Sequence, residues 1–151
     1  MALKVGDQAP DFDLKDQHGQ DFNLNNALGQ QHLVLFFYPK AHTPGCTKEA
    51  CAFRDSYEIF KDAGADVIGI SAGNQTSHHR FGEKHRLPFT LLNDKNNKVR
   101  KLFGVKKTLG ILPGRVTYVI NKKGTIIHIF DSQLNFSGHI DKALEVLQES
   151  I

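Results

Sequence analysis

An α/β domain, with a mixed central sheet covered by helices on both faces, is expected from three features of the 151-residue chain. The continuous apolar run Leu33-Val34-Leu35-Phe36-Phe37-Tyr38 suits a central strand buried on both sides. Helical and extended patterns alternate after it, and such βα order implies crossover connections and parallel strands. Two alternating segments around the turn Asn121-Lys122-Lys123-Gly124 then form an antiparallel hairpin, so the sheet is mixed.

The elements follow in order. Phe12 and Leu14, the polar turn Gln17-His18-Gly19-Gln20, and Phe22 and Leu24 form an N-terminal β-hairpin. The 33–38 strand stops at Pro39, and Thr43-Pro44-Gly45 opens a helix. Thr43 is its N-cap, and Pro44 takes the first helical position, where a missing N–H costs nothing. Ala50, Phe53, Tyr57 and Phe60 recur at helical spacing up to Gly64, a C-cap. A second strand is Val67-Ile68-Gly69-Ile70, a polar helix spans 76–85, a third strand spans 89–92, and a short helix spans 97–103. Segments 115–120 and 125–130 form the hairpin. Ile140, Ala143, Leu144, Leu147 and Ile151 mark the buried face of a closing helix, with Ser137 as N-cap. No repeat or linker interrupts the chain, so residues 1–151 are expected to form a single domain, and the order fits a thioredoxin-like three-layer fold.

Composition narrows the function. A formal net charge of +3 is too small to imply a nucleic-acid binder. Lys98, Arg100, Lys101, Lys106, Lys107, Lys122 and Lys123 read as a dispersed, solvated charge face. No apolar run approaches the roughly 18 residues of a membrane span, so no membrane partner is expected. The start of the chain lacks the apolar core of a signal peptide. A cytoplasmic protein, or a mature organellar form, in a reducing compartment is therefore expected, where a disulfide is transient. Two cysteines exclude a disulfide-stapled scaffold and a four-thiolate zinc module. His78, His79 and His85 raise a metal-binding alternative, but His78 and His85 read as solvated polar positions.

Both cysteines fall in one segment, Thr43-Pro44-Gly45-Cys46-Thr47-Lys48-Glu49-Ala50-Cys51. Cys46 sits in the first helical turn, where free N–H groups and the helix dipole favour the thiolate, the nucleophilic form. The plain alternative is a pair of inert, small apolar residues. Residues five apart on an ideal helix have Cα atoms about 8.6 Å apart. Disulfide bonding needs them within about 7 Å, so the two thiols join only if the first turns unwind. The spacing suggests that the first cysteine reacts alone and the second is recruited later. A Cys-x-x-Cys oxidoreductase is a poor fit, since that motif is absent.

Pro39-x-x-x-Thr43-x-x-Cys46 and the stretch 43–55 resemble the peroxiredoxins, in particular the peroxiredoxin Q or bacterioferritin comigratory protein subgroup. The likeness extends from Val5-Gly6-Asp7 through Leu87-Pro88-Phe89 to Leu112-Pro113-Gly114-Arg115, and several stretches are similar to plant chloroplast and cyanobacterial members. The resemblance implies a monomeric thiol peroxidase without cofactor or metal. Cys46 would reduce hydrogen peroxide or organic hydroperoxides, and Cys51 would resolve the sulfenic acid as an intramolecular disulfide. Thioredoxin or a related dithiol would restore both thiols. Thr43 and Arg115 carry over as the remaining catalytic members. The Thr43 hydroxyl would bond the thiolate or a peroxide oxygen, and Arg115 would favour the thiolate and the charge on the leaving oxygen. Pro39 would shield the sulfur, and Glu49 would position Arg115 or serve as a solvated first-turn acid. His42 stands where relatives carry an acid. Either it favours the thiolate when protonated, or it is an exposed, unconnected side chain.

Overall fold

The computed structural model describes residues 3–105 and 114–149. Seven strands form one sheet in the order β2-β1-β5-β4-β3-β6-β7. They are β1 (Asp13–Asp16), β2 (Asp21–Asn23), β3 (His32–Phe37), β4 (Ala65–Ser71), β5 (Thr90–Asn93), β6 (Val116–Ile120) and β7 (Ile126–Asp131). β3, β4 and β5 are parallel, while β6 runs antiparallel to β3 and β1 antiparallel to β5. Among the described residues there are six α-helices, α1 (Leu24–Ala27), α2 (Pro44–Asp55), α3 (Tyr57–Asp62), α4 (Gln75–His85), α5 (Lys98–Phe103) and α6 (Phe136–Glu149), and a 3-10 turn at Lys95–Asn97. The mixed sheet, the helices on both faces and the N-terminal strand pair agree with the sequence reading.

From Leu33 to Phe37 the side chains of β3 are buried and alternate between two cores. Val34 and Phe36 join Ala50 and Phe53 of α2, Phe60 of α3, Phe81 of α4, and Ile140, Ala143 and Leu147 of α6. Leu33, Leu35 and Phe37 face the other way, against Leu24 of α1 and Val99 and Phe103 of α5. Phe36 stacks on Phe53 at 4.4 Å between ring centres, which docks α2 on the sheet. Gly69 in β4 makes room for this packing, because a Cβ there would come within 2.8 Å of the Phe36 ring and 3.0 Å of Leu91.

Three local expectations are corrected. The helix read as continuous to Gly64 breaks at Ser56, whose φ of −104° and ψ of 5° leave the helical region and separate α2 from α3. Helix α6 starts at Phe136, with the Asn135 side chain accepting from the Gly138 N–H at 3.0 Å, so Asn135 takes the capping role expected of Ser137. Arg100, read as part of a solvated face, is 5% exposed, and its guanidinium donates to the Tyr38 and Gly114 carbonyls. Asp94 accepts from the N–H groups of Val99 and Arg100, fixing the start of α5 and thereby this bridge. Residues 106–113, including Lys106, Lys107 and part of the 87–115 resemblance, lie outside the described residues.

Candidate active site

The site forms where β3 hands over to α2. Tyr38 extends the β3–β4 ladder with one more bond to Ile70. The chain then turns through Pro39, whose carbonyl accepts from the Ser71 hydroxyl at 3.2 Å. Thr43 occupies the N-cap position of α2, but its side chain caps no helical N–H. Its hydroxyl donates to the Lys40 carbonyl at 2.8 Å and closes the 40–43 turn. That turn aims the Lys40 N–H at the Cys46 sulfur, 3.5 Å away.

Arg115 reaches the same sulfur from the segment entering β6. Phe37 of β3 pairs with Val116 of β6, which sets Arg115 beside the start of α2. Its Nη2 donates to Cys46 Sγ at 3.4 Å and its Nη1 to Glu49 Oε1 at 2.8 Å. Nε donates to the Gln133 carbonyl at 3.1 Å, and the guanidinium lies 5.0 Å from the centre of the Phe136 ring. These contacts fix the planar fork, so its charge faces the sulfur. Cys46 is 1% exposed, Glu49 is fully buried and Arg115 is 4% exposed. Glu49 is therefore no solvated first-turn acid.

Behind Glu49 lies a residue that the sequence reading did not single out. His139 of α6 places Nδ1 3.5 Å from Glu49 Oε2 and 2.7 Å from the Thr117 hydroxyl, while Nε2 meets the Ser132 carbonyl at 2.7 Å. Burial pushes the Glu49 carboxyl up to about 7, against the charge and hydrogen bond of Arg115. Burial also pulls His139 down to about 4, with the Arg115 charge adding and the Ser132 bond opposing. The Tyr38 phenol is pushed up by burial and by the negative charge of Cys46 and Glu49. No local motif marks His139. Only its i, i+4 relation to Ala143, on the buried face of α6, hinted that it points inward.

The structure brings Cys46, Glu49 and Arg115 together and keeps Cys51 apart. Cys51 is half-buried, further along the same unbroken helix, and both thiols are free. His42 is exposed but connected: its Nε2 meets the Ser77 carbonyl at 3.1 Å and its ring packs edge-on against Phe81. The histidines that raised the metal-binding alternative meet separate partners. His78 is buried against the Asn93 side chain, contrary to its reading as solvated, whereas His79 faces Glu83. Among the described residues no group of three or more His, Cys, Asp or Glu side chains could hold a metal ion. Nor is any described helix long and apolar enough to cross a membrane.

Residues 5–129 match the AhpC/TSA family. The chain is 53% identical over 147 residues to the chloroplastic peroxiredoxin Q of Populus jackii, covering 97% of this chain and 68% of that protein. It is 54% identical, at the same coverage, to the chloroplastic peroxiredoxin Q of Arabidopsis thaliana. The crystal structure of peroxidoxin BcpB from Mycobacterium tuberculosis superposes with a TM-score of 0.90 at 40% identity, covering 97% of both chains. The expectation of a cytoplasmic protein does not stand, since the poplar and Arabidopsis relatives are chloroplastic. Peroxiredoxins are thiol peroxidases, which consume a hydroperoxide and a reductant. With a buried thiol faced by a tethered guanidinium, and with these similarities along nearly its whole length, this chain belongs to the AhpC/TSA family and, among the peroxiredoxins, to the peroxiredoxin Q or bacterioferritin comigratory protein group.

Proposed function

We propose that residues 1–151 act as one monomeric domain in which Cys46 is the peroxidatic thiol and Cys51 the resolving thiol, recycled by thioredoxin or a related dithiol. The convergence of the Arg115 guanidinium and the Lys40 N–H on the Cys46 sulfur carries this reading. Two donors aimed at one sulfur stabilise negative charge on it and on the oxygen released as the O–O bond breaks. The Cys46 thiolate attacks the terminal oxygen of a hydroperoxide. An S–O bond forms, the O–O bond breaks, and the released alkoxide or hydroxide takes a proton to leave as alcohol or water. Glu49 and Phe136 position Arg115, and Thr43 fixes the turn that presents Lys40. Pro39, whose carbonyl accepts from Ser71, leads the chain into that turn.

The Cys51 thiolate then attacks the Cys46 sulfenic acid, forming the S–S bond and expelling hydroxide, which is protonated to water. Because α2 holds the Cα atoms of Cys46 and Cys51 about 8.6 Å apart by ideal geometry, its first turn must open. Two features make that opening inexpensive. Thr43 makes no side-chain cap, a bond worth about 1 kcal/mol elsewhere. Gly45 in the first turn costs a helix about 1 kcal/mol relative to alanine. The dithiol donor attacks the disulfide and restores both thiols by exchange.

Cys46→Ser is expected to abolish peroxide consumption. Cys51→Ser is expected to consume one peroxide per chain, as read by intact mass, and then to stop turning over with thioredoxin and its reductase. Full turnover by Cys46→Ser would overturn the assignment.

A further inference from the structure

The Ser132 carbonyl can only accept, so the His139 Nε2 beside it carries a proton. In the neutral ring Nδ1 is then bare, and the Thr117 hydroxyl donates to it. Glu49 Oε2 faces this bare nitrogen at 3.5 Å and has no hydrogen-bond partner among the described residues. A fully buried carboxylate oxygen opposite a lone pair is a costly arrangement. One proton relieves it, placed either on Oε2 or on Nδ1, with the Thr117 hydroxyl turning its hydrogen away to free the nitrogen.

We propose that His139 is a positioning residue for the Cys46 site, holding one proton in common with Glu49, and that this proton sets how much of the Arg115 charge acts on the Cys46 sulfur. With the proton on Glu49 the carboxyl is neutral, and Arg115 presents its whole charge to Cys46. When the pair loses the proton, Arg115 is neutralised by the carboxylate 2.8 Å away. The charged and titratable groups facing the pair are Cys46 on α2, Arg115 before β6 and Tyr38 after β3, with Arg100 of α5 acting on Cys46 and Arg115. The upward shift of Glu49 and the downward shift of His139 agree with a proton retained near neutrality. The role of the proton rests on Cys46 being the reacting thiol, whereas the sharing of the proton does not.

The test follows the Glu49 carboxyl carbon by NMR between pH 4 and 9 in Cys46→Ser, with Glu49→Gln assigning the signal. No thiol reacts in that background, so failure here is distinct from failure of the peroxidase reading. His139→Gln supplies an amide N–H to Oε2 and favours the carboxylate, so the inflection should move down. His139→Leu leaves the oxygen drier, and the inflection should move up. Each shift should reach at least half a pH unit, about threefold in proton affinity. With Cys46 restored, the Glu49-linked inflection in the pH profile of its alkylation by iodoacetamide should move in the same sense, and Glu49→Gln should abolish that inflection. An unmoved inflection in His139→Gln, or movement of both variants in one direction, would refute the shared proton. If His139→Leu does not fold, His139→Gln alone decides. A normal Glu49 shift with an unchanged alkylation profile would refute its control of Cys46.

Discussion

Glu49→Gln removes one of two buried groups whose effects on stability oppose each other. The native carboxyl titrates at about 7 against an ordinary value of 4.5. The folded state therefore binds more protons than the unfolded state in that interval. The Glu49 contribution is fully present below pH 4.5 and is lost as pH rises through 7. Two and a half units correspond to about 3 kcal/mol. His139 runs the other way, from 6.5 down to about 4. Its contribution is present above pH 6.5 and is lost as pH falls through 4, again by about 3 kcal/mol. Between pH 4.5 and 6.5 the two slopes nearly cancel in the parent. Glu49→Gln leaves only the His139 slope, so the variant should gain about 3 kcal/mol on the parent between pH 4.5 and 7. Urea unfolding under reducing conditions at pH 4, 5, 6, 7 and 8, followed by far-ultraviolet circular dichroism, measures this difference. Titrations away from the cluster of Glu49, His139, Arg115, Cys46 and Tyr38 cancel between parent and variant. Parallel stability curves, agreeing within about 1 kcal/mol across the range, would refute the reasoning.

Arg115→Lys keeps the charge but cannot reproduce a fork that bonds Cys46, Glu49 and the Gln133 carbonyl together. The rate of the first oxidation by hydrogen peroxide, read by stopped flow in a Cys51→Ser background, should fall about 10- to 100-fold. A rate within about twofold of the parent would remove the fork from the mechanism. Tyr38→Phe deletes a fully buried hydroxyl without a hydrogen-bond partner among the described residues. Stability in urea should rise by about 1 kcal/mol, and a loss of that size would show that the hydroxyl is bonded in solution.

The strand read from residues 33–38 needed only a run of apolar residues, and the Cys46 helix start needed only Thr43-Pro44. Such signals are local, and they survived into the fold. Arg100 was misread because its neighbours Lys98 and Lys101 are exposed, and a cation among cations looks solvated. Its burial comes from two carbonyl partners, one of them 62 positions away. His139 and His78 were obscured for a similar reason. A buried histidine is identified by what it bonds, and Thr117 and Asn93 lie on other elements while Ser132 lies in the connection before α6. The break at Ser56 has the opposite cause, a local backbone departure within an otherwise helical pattern.

The antiparallel pairing of β3 with β6 has a consequence for the time before the fold is complete. Cys46 and Arg115 are separated by 69 positions, and only the Phe37–Val116 register brings them together. A slip of one residue would turn Arg115 to the opposite face of the sheet. During synthesis, until β6 docks, Cys46 has neither the guanidinium nor the buried carboxylate that tethers it. With Cys46 as the proposed reacting thiol, the emerging chain would lack the contacts that orient charge on this sulfur, and peroxide sensitivity would arise only with the completed sheet. Reactivity here doubles as a report that folding has finished.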